Sequence, residues 1–233
     1  MSTVSKIQDA KATVASSAGD VDAFLAKVKT MPKASGEGRL VFAMDATMSR
    51  QATWDQALSI QGQMFMETGK TGGLSVQLMY FRGFNECRAS RWVDNPETLA
   101  RLMTKVDCRG GNTQIGRVLK HVKNESALAK INAAIFVGDA CEEGIDGLCQ
   151  AAGEIALLGV PVFMFQEGND AAAERAFREI AKLTRGAYFK FDASSPKILA
   201  DLLAAVAAYA TGGRAALEAK GGSTAKTLLQ QLK

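Results

Sequence analysis

RLVFAMDATMS, residues 39–49, is the stretch on which the reading of this chain turns. Leu40 to Met44 form an apolar run without polar alternation, and the run stops on an aspartate followed by small hydroxylated residues. An unbroken apolar strand belongs to a sheet covered on both faces, because a sheet with one wet face shows a period of two. In such sheets ligand-handling groups collect just beyond the carboxyl ends of the strands, which is where Asp45 falls.

Working outward, the same pattern recurs. Apolar runs appear at LSVQLMYF (74–81), ASRWV (89–93), NAAIFVGD (132–139), VPVFMF (160–165) and AYFKF (187–191). Between them lie helical stretches near 50–67, 96–106, 114–124, 145–158, 171–184 and 196–210. Strands alternating with helices predict an α/β fold: a doubly wound, mainly parallel sheet with helices on both faces. RGFNECR, between the second and third runs, is too short for a helical crossover, so that pair is expected to be a hairpin ending in one antiparallel edge strand.

The rest of the chain divides around this core. Residues 1–37 read as an N-terminal amphipathic helical extension, with Phe24, Leu25, Val28 and Met31 on one face, Pro32 as its stop and KASGEG as a joint. Residues 38–210 form the main domain, and 211–233, rich in Gly, Ala, Lys and Ser, are expected to be a flexible tail or a loosely docked helix. The 233 residues are 47% hydrophobic and 22% charged, ordinary values for a soluble globular protein. A net charge of +4 spread over this length gives little attraction to polyanions, so nucleic acid is not an expected partner.

Cys87, Cys108, Cys141 and Cys149 form no C-x-x-C pair, and His121 is the single histidine, which argues against zinc and for free, mostly buried thiols in a reducing compartment. The N-terminus lacks the apolar core of a signal peptide, and no run is long enough to span a bilayer. The expectation is a cytoplasmic protein with no membrane attachment.

Three polar segments follow apolar strands or open helices: DATMS at 45–49, GGNTQ at 110–114 and GDACEE at 138–143. Asp45, Thr47 and Ser49 are spaced by two, which in an extended turn places a carboxylate and two hydroxyls on one side. An all-oxygen set of this kind suits a hard cation such as Mg²⁺, which takes carboxylate, hydroxyl and water ligands. Taken singly, each residue also has a plainer reading: Asp45 and Asp139 as strand-end caps, Thr47, Ser49 and Thr113 as helix N-caps.

In order and separation these segments resemble the metal-ion-dependent adhesion site (MIDAS) of von Willebrand factor type A (VWA) domains. The D-x-[ST]-x-S motif is matched by Asp45, Thr47 and Ser49, the later threonine by Thr113 and the second aspartate by Asp139. The resemblance covers roughly residues 38–210. It implies a divalent cation, Mg²⁺ with Mn²⁺ or Ca²⁺ as alternatives, held directly or through water by these five residues. One position is left for an acidic side chain of a protein partner. It further implies an intracellular, bacterial-type member that is a binding module and not an enzyme, with an AAA+ ATPase or a stress-response assembly as the class of partner. Two positions depart from the common pattern: Thr47 stands where Ser is usual, and Asp139 lies in G-D-A where T-D-G is common.

The competing enzymatic reading is a phosphotransferase resembling the haloacid dehalogenases, with Asp45 as nucleophile and Gly138, Asp139 and Glu143 as its metal motif. That chemistry normally adds an acid two residues after the nucleophile, where this chain has Thr47. A phosphate loop at Gly69, Lys70 and Thr71 fails because Met64 occupies the position of its first glycine. His121 lies in the helical stretch IGRVLKHVK and reads as structural. Trp54, Met64 and Phe65 read as core, and Trp92 as either core or partner-facing.

Overall fold

The computed structural model describes residues 38–51, 74–191 and 196–219. The expected helix after residue 51, with Trp54, Met64 and Phe65, lies outside them, as do the N-terminal extension and residues 220–233.

The described strands are β1 (Gly38–Asp45), β2 (Leu74–Arg82), β3 (Glu86–Ala89), β4 (Ala133–Gly138), β5 (Val162–Glu167) and β6 (Tyr188–Phe191). They form one sheet in the order β3-β2-β1-β4-β5-β6. Every neighbouring pair is parallel except β2 with β3, which is antiparallel. The described helices are α1 (Pro96–Met103), α2 (Ile115–Leu128), α3 (Ile145–Leu157), α4 (Ala171–Leu183) and α5 (Pro196–Ala219).

The unbroken apolar character of β1 has its cause in the two layers. Leu40, Phe42 and Met44 join Leu99 and Met103 of α1 and Leu203, Val206 and Tyr209 of α5 in one buried cluster. Val41 and Ala43 point the other way, into a second cluster with Val118 and Leu119 of α2, Ala152 and Ile155 of α3, and Phe177 and Ile180 of α4. From Leu40 onward both faces of the strand are dry, and no polar residue stands between Leu40 and Asp45. In the second cluster Phe136 of β4 stacks on Phe81 at 6.0 Å and meets Phe177 edge-on at 5.3 Å.

Two sequence expectations need correction. The third strand was placed at 89–93 but runs Glu86–Ala89, in register Met79↔Ala89 and Arg82↔Glu86. A turn at Gly83–Asn85, with Gly83 at φ 60°, closes directly after Arg82, and the Arg82 guanidinium meets the Glu86 carboxylate across it at 2.9 Å. The ladder stops at Ser90, whose hydroxyl takes the hydrogen bond donated by the Leu78 amide; Val93 then rejoins β2 by a single bridge to Val76. The edge strand is antiparallel as expected, only earlier. The last helix, expected to end at residue 210, continues to Ala219, because the helix-favouring RAALEA segment carries it past the two glycines at 212 and 213.

Candidate functional site

Because β1 and β4 are parallel neighbours, with Met44 opposite Val137, their carboxyl ends deliver Asp45 and Asp139 to the same edge of the sheet. Asp45 is fully buried and Asp139 half-buried. Asp45 Oδ1 accepts a 2.7 Å hydrogen bond from the amide of Thr47. Its Oδ2, and Asp139 Oδ1, are enclosed without a hydrogen-bond partner among the described residues. Burial pushes the Asp45 carboxyl up to about 6, with the negative charge of Asp139 adding to the rise; the hydrogen bonds from Thr47 and the positive charge of Arg50 oppose it.

The hydroxyls belong to the loop after β1 and the loop before α2. Thr47 is buried, Ser49 is exposed, and their hydroxyl oxygens lie 3.0 Å apart. Thr113 is buried in the loop before α2, and that loop is sewn to the first motif: the amide of Arg109 donates to the carbonyl of Ala46 at 3.0 Å, and the amide of Ala46 to that of Phe81 at 3.0 Å. Gly111 presses against the backbone of Gly83, where a β-carbon would stand 2.0 Å from the Gly83 oxygen. Gln114 Nε2 donates to the carbonyls of Arg82, Gly83 and Glu86, fastening the same loop to the β2–β3 turn. All five residues singled out in the sequence therefore lie at the carboxyl edge, on three loops bonded to one another or to the strands beside them.

The capping alternative accounts for little of this. Thr47 occupies the N-cap of the short 3₁₀ turn Met48–Arg50, yet its side chain makes no capping bond. The N-cap of α2 is Gln114, not Thr113. Capping explains one oxygen of Asp45 and leaves the other, and Asp139 Oδ1, without a role. Buried carboxylate oxygens are costly without a proton donor or a cation, so this donor set, two carboxylates with hydroxyls alongside, fits a hard divalent ion. No group of three or more His, Cys, Asp or Glu suited to a metal occurs among the described residues.

Three residues around the site escaped the sequence reading. Glu142 holds Thr113 from both sides: its carboxylate accepts from the Thr113 amide at 2.8 Å, and its own amide donates to Thr113 Oγ1 at 3.1 Å. Arg50, directly after the first motif, is buried and pairs with Glu167 at the end of β5 at 3.0 Å. Their signal in the sequence was only that charges cluster at strand ends. Glu143, a metal ligand in the phosphotransferase reading, instead gives one oxygen to the Ile115 amide and the other to the Gly116 amide at 2.9 Å, closing the N-terminus of α2.

Away from the site, His121 is half-buried and hydrogen-bonded to Gln77 Oε1 at 2.8 Å. Trp92 is half-buried, with its indole N–H donating to Glu125 and the Arg39 guanidinium 3.9 Å above its ring. The four cysteines are free; Cys108 is buried and the other three are half-buried, more open than expected. No helix among the described residues is long and apolar enough to cross a membrane.

No protein-family model matches the sequence, and neither does any curated protein. Solved structures do match. A von Willebrand factor type A protein from Catenulispora acidiphila superposes with a TM-score of 0.63 at 16% identity, covering 76% of this chain and 43% of that one. The VWA domain of SpRpn10 gives 0.58 at 14% identity over 71% of this chain and 93% of its own. An aerotolerance-related membrane protein from Bacteroides fragilis gives 0.53 at 16% identity, covering 71% and 98%. The chain spans less than half of the Catenulispora protein it matches. The class defined by sheet order, edge strand and flanking helices is α/β and Rossmann-like, and within it this chain has the fold of VWA domains.

Proposed function

We propose that this chain is a divalent-metal-dependent protein-binding module in which Asp45, Thr47, Ser49, Thr113 and Asp139 hold the cation. The observation that carries this reading is the pair of buried carboxylate oxygens, Asp45 Oδ2 and Asp139 Oδ1, which have no hydrogen-bond partner among the described residues, with the paired Thr47 and Ser49 hydroxyls on the loop that follows Asp45. Bound there, Mg²⁺, Mn²⁺ or Ca²⁺ would supply a coordination position open to one more anionic oxygen. The protein's part is to enclose the Asp45 and Asp139 oxygens at the sheet edge and to fix Thr113 through Glu142. The partner's part is an Asp or Glu on a folded surface. By its resemblance the partner belongs to the AAA+ ATPases or a stress-response assembly, in the cytoplasm.

The phosphotransferase alternative is less well supported. Both oxygens of Glu143 are engaged by backbone amides of α2, and Thr47 stands where a proton donor is needed. The reading as a binder and not an enzyme is tested by calorimetric titration of the full chain with MgCl₂ and MnCl₂. Asn at position 45 keeps the shape of a fully buried side chain, so Asp45→Asn is expected to abolish saturable binding with the fold intact. Unchanged binding by that variant overturns the ligand set, and a beryllofluoride adduct on Asp45 restores the phosphotransferase.

A further inference from the structure

The three helices that cover one face of the sheet end alike. α2 stops on Leu128, α3 on Leu157 and α4 on Leu183, and the short segments 129–132, 158–161 and 184–187 then lead into β4, β5 and β6. Those strands are parallel neighbours, so all three leucines belong to the amino edge of the sheet, opposite the candidate site. α2 packs on α3 and α3 on α4, which sets the three ends side by side. Leu128 is 79% exposed, Leu157 89% and Leu183 39%, and Leu158 adds 47%. The last turns of α2 and α3 carry no basic residue, although a helix C-terminus favours one. Single exposed leucines are ordinary, but a row of them across adjacent helix ends is an apolar face left uncovered among the described residues.

The chain enters the domain at that same edge. β1 begins there beside the end of α2: the Asn132 amide donates to the Arg39 carbonyl at 2.9 Å, the Arg39 amide donates to Asn132 Oδ1 at 2.9 Å, and the Arg39 guanidinium reaches Glu125, in the last turn of α2, at 3.5 Å. Upstream, outside the described residues, the sequence carries the apolar set Phe24, Leu25, Val28 and Met31 at helical spacing. We infer that residues 20–31 dock as a helix across the leucine ends of α2, α3 and α4. The lengths agree. Residues 32–37 allow Met31 to lie up to about 25 Å from Gly38. Neighbouring helix axes stand about 8–10 Å apart, so three abreast span roughly 20 Å, and a helix of residues 20–31 is about 18 Å long. Charge sets its direction: with Met31 tethered near α2, Asp20 and Asp22 fall at the α4 end, where Lys182 and Arg185 are exposed. Lys182 makes a 4.0 Å contact with Glu179 that leaves 77% of its side chain exposed, so it remains open to a second carboxylate.

Hydrogen exchange of the full-length protein, followed at low and high protein concentration, is the test. A free helix this short is marginal in water, so slow exchange at residues 20–31 reports docking and not helix propensity. In the parent these amides are expected to exchange about tenfold or more below random-coil rates, equally at both concentrations. Leu128→Asp/Leu157→Asp returns them towards random-coil rates while the amides of β4 and β5 exchange as in the parent. Leu128→Ser/Leu157→Ser adds no charge to the helix ends, so it serves where the aspartates disturb folding, and it gives the same loss. Val28→Asp, on the other partner, releases the segment and quickens exchange in the last turns of α2 and α3. Random-coil exchange of residues 20–31 in the parent at both concentrations overturns the inference. So does protection that grows with concentration, which makes a second copy the occupant, and so does protection that survives both leucine double substitutions, which puts the segment on another surface.

Discussion

The amide of Thr113 donates to Glu142 Oε2 at 2.8 Å while Thr113 Oγ1 accepts from the amide of Glu142 at 3.1 Å, so a loop before α2 and a loop after β4 hold each other by two opposed hydrogen bonds. Neither residue alone places the threonine. The carboxylate of Glu142 fixes the backbone, and the backbone of Glu142 fixes the hydroxyl. Glu142→Ala keeps the second bond and loses the first, without removing any proposed ligand. Mn²⁺ affinity is expected to fall by about tenfold, the lower end of the about 10–100-fold usual for a group supporting a metal ligand, because the second bond survives. Hydrogen exchange at the Thr113 amide should quicken at the same time. Unaltered affinity with quickened exchange would show that Thr113 takes no part in holding the ion.

Asp45 gives the metal-free protein a pH dependence of definite sign. Its folded carboxyl titrates at about 6, above the ordinary 3.8, so between those values the folded state binds the proton more tightly than the unfolded chain. Stability from this group accordingly rises as pH falls through 6 and is lost again as pH rises. His121 acts in the opposite sense: burial lowers its imidazole below the ordinary 6.5, so the unfolded chain takes the proton first and acidification destabilises. The two effects overlap, and only a difference separates them. Urea unfolding of parent and Asp45→Asn between about pH 7.5 and 4.5 should show the parent gaining relative to the variant as pH falls. A flat difference would mean that Asp45 does not titrate as a buried group.

Much of this was legible because it is local. The dry strand β1 announces itself by five apolar residues in a row, and Asp45 by ending them. Asp139 and Thr113 could be found because strand ends and Gly-containing loops mark themselves in the chain. What stayed hidden depends on neighbours distant in sequence. Arg50 and Glu167 are 117 positions apart, as the numbering gives, and meet only because β4 lies between their strands. β3 was misplaced because the apolar Trp92 and Val93 outweighed the Arg82–Glu86 pair and the Ser90 hydroxyl, neither of which has a periodic signature.

Trp92 illustrates the same point and supplies a stability test. Its indole N–H bonds Glu125 of α2 at 2.8 Å, and Arg39 of β1 stacks on its ring while reaching the same carboxylate at 3.5 Å. The ring thus ties the end of the hairpin to α2 and β1. Trp92→Ala is expected to cost about 2–3 kcal/mol, less than a fully buried aromatic because the ring is half-exposed. Chemical denaturation measures it, and a loss below about 0.5 kcal/mol, the range of ordinary surface changes, would make Trp92 a partner-facing residue and not a packing one.

The last prediction uses two adjacent glycines that the structure treats differently. A β-carbon on Gly111 would stand 2.0 Å from the Gly83 oxygen and 2.4 Å from its α-carbon, contacts with backbone that no side-chain rotation can relieve. A β-carbon on Gly110 meets nothing within 4 Å. Gly111→Ala must therefore push the loop off the β2–β3 turn, pulling at the three carbonyl bonds of Gln114 and carrying Thr113 with it. The sheet itself does not depend on this contact, since the two clusters that cover it lie elsewhere. Gly110→Ala is expected to leave Mn²⁺ binding and melting unchanged, whereas Gly111→Ala loses most Mn²⁺ binding and still unfolds cooperatively with native far-ultraviolet circular dichroism. Because the two substitutions add the same methyl group one residue apart, chain stiffening and helix propensity cannot separate them; only the approach of Gly83 can. Equal behaviour of the two variants would mean that the loop is not seated on the turn, and Thr113 would then have no fixed place beside Asp45.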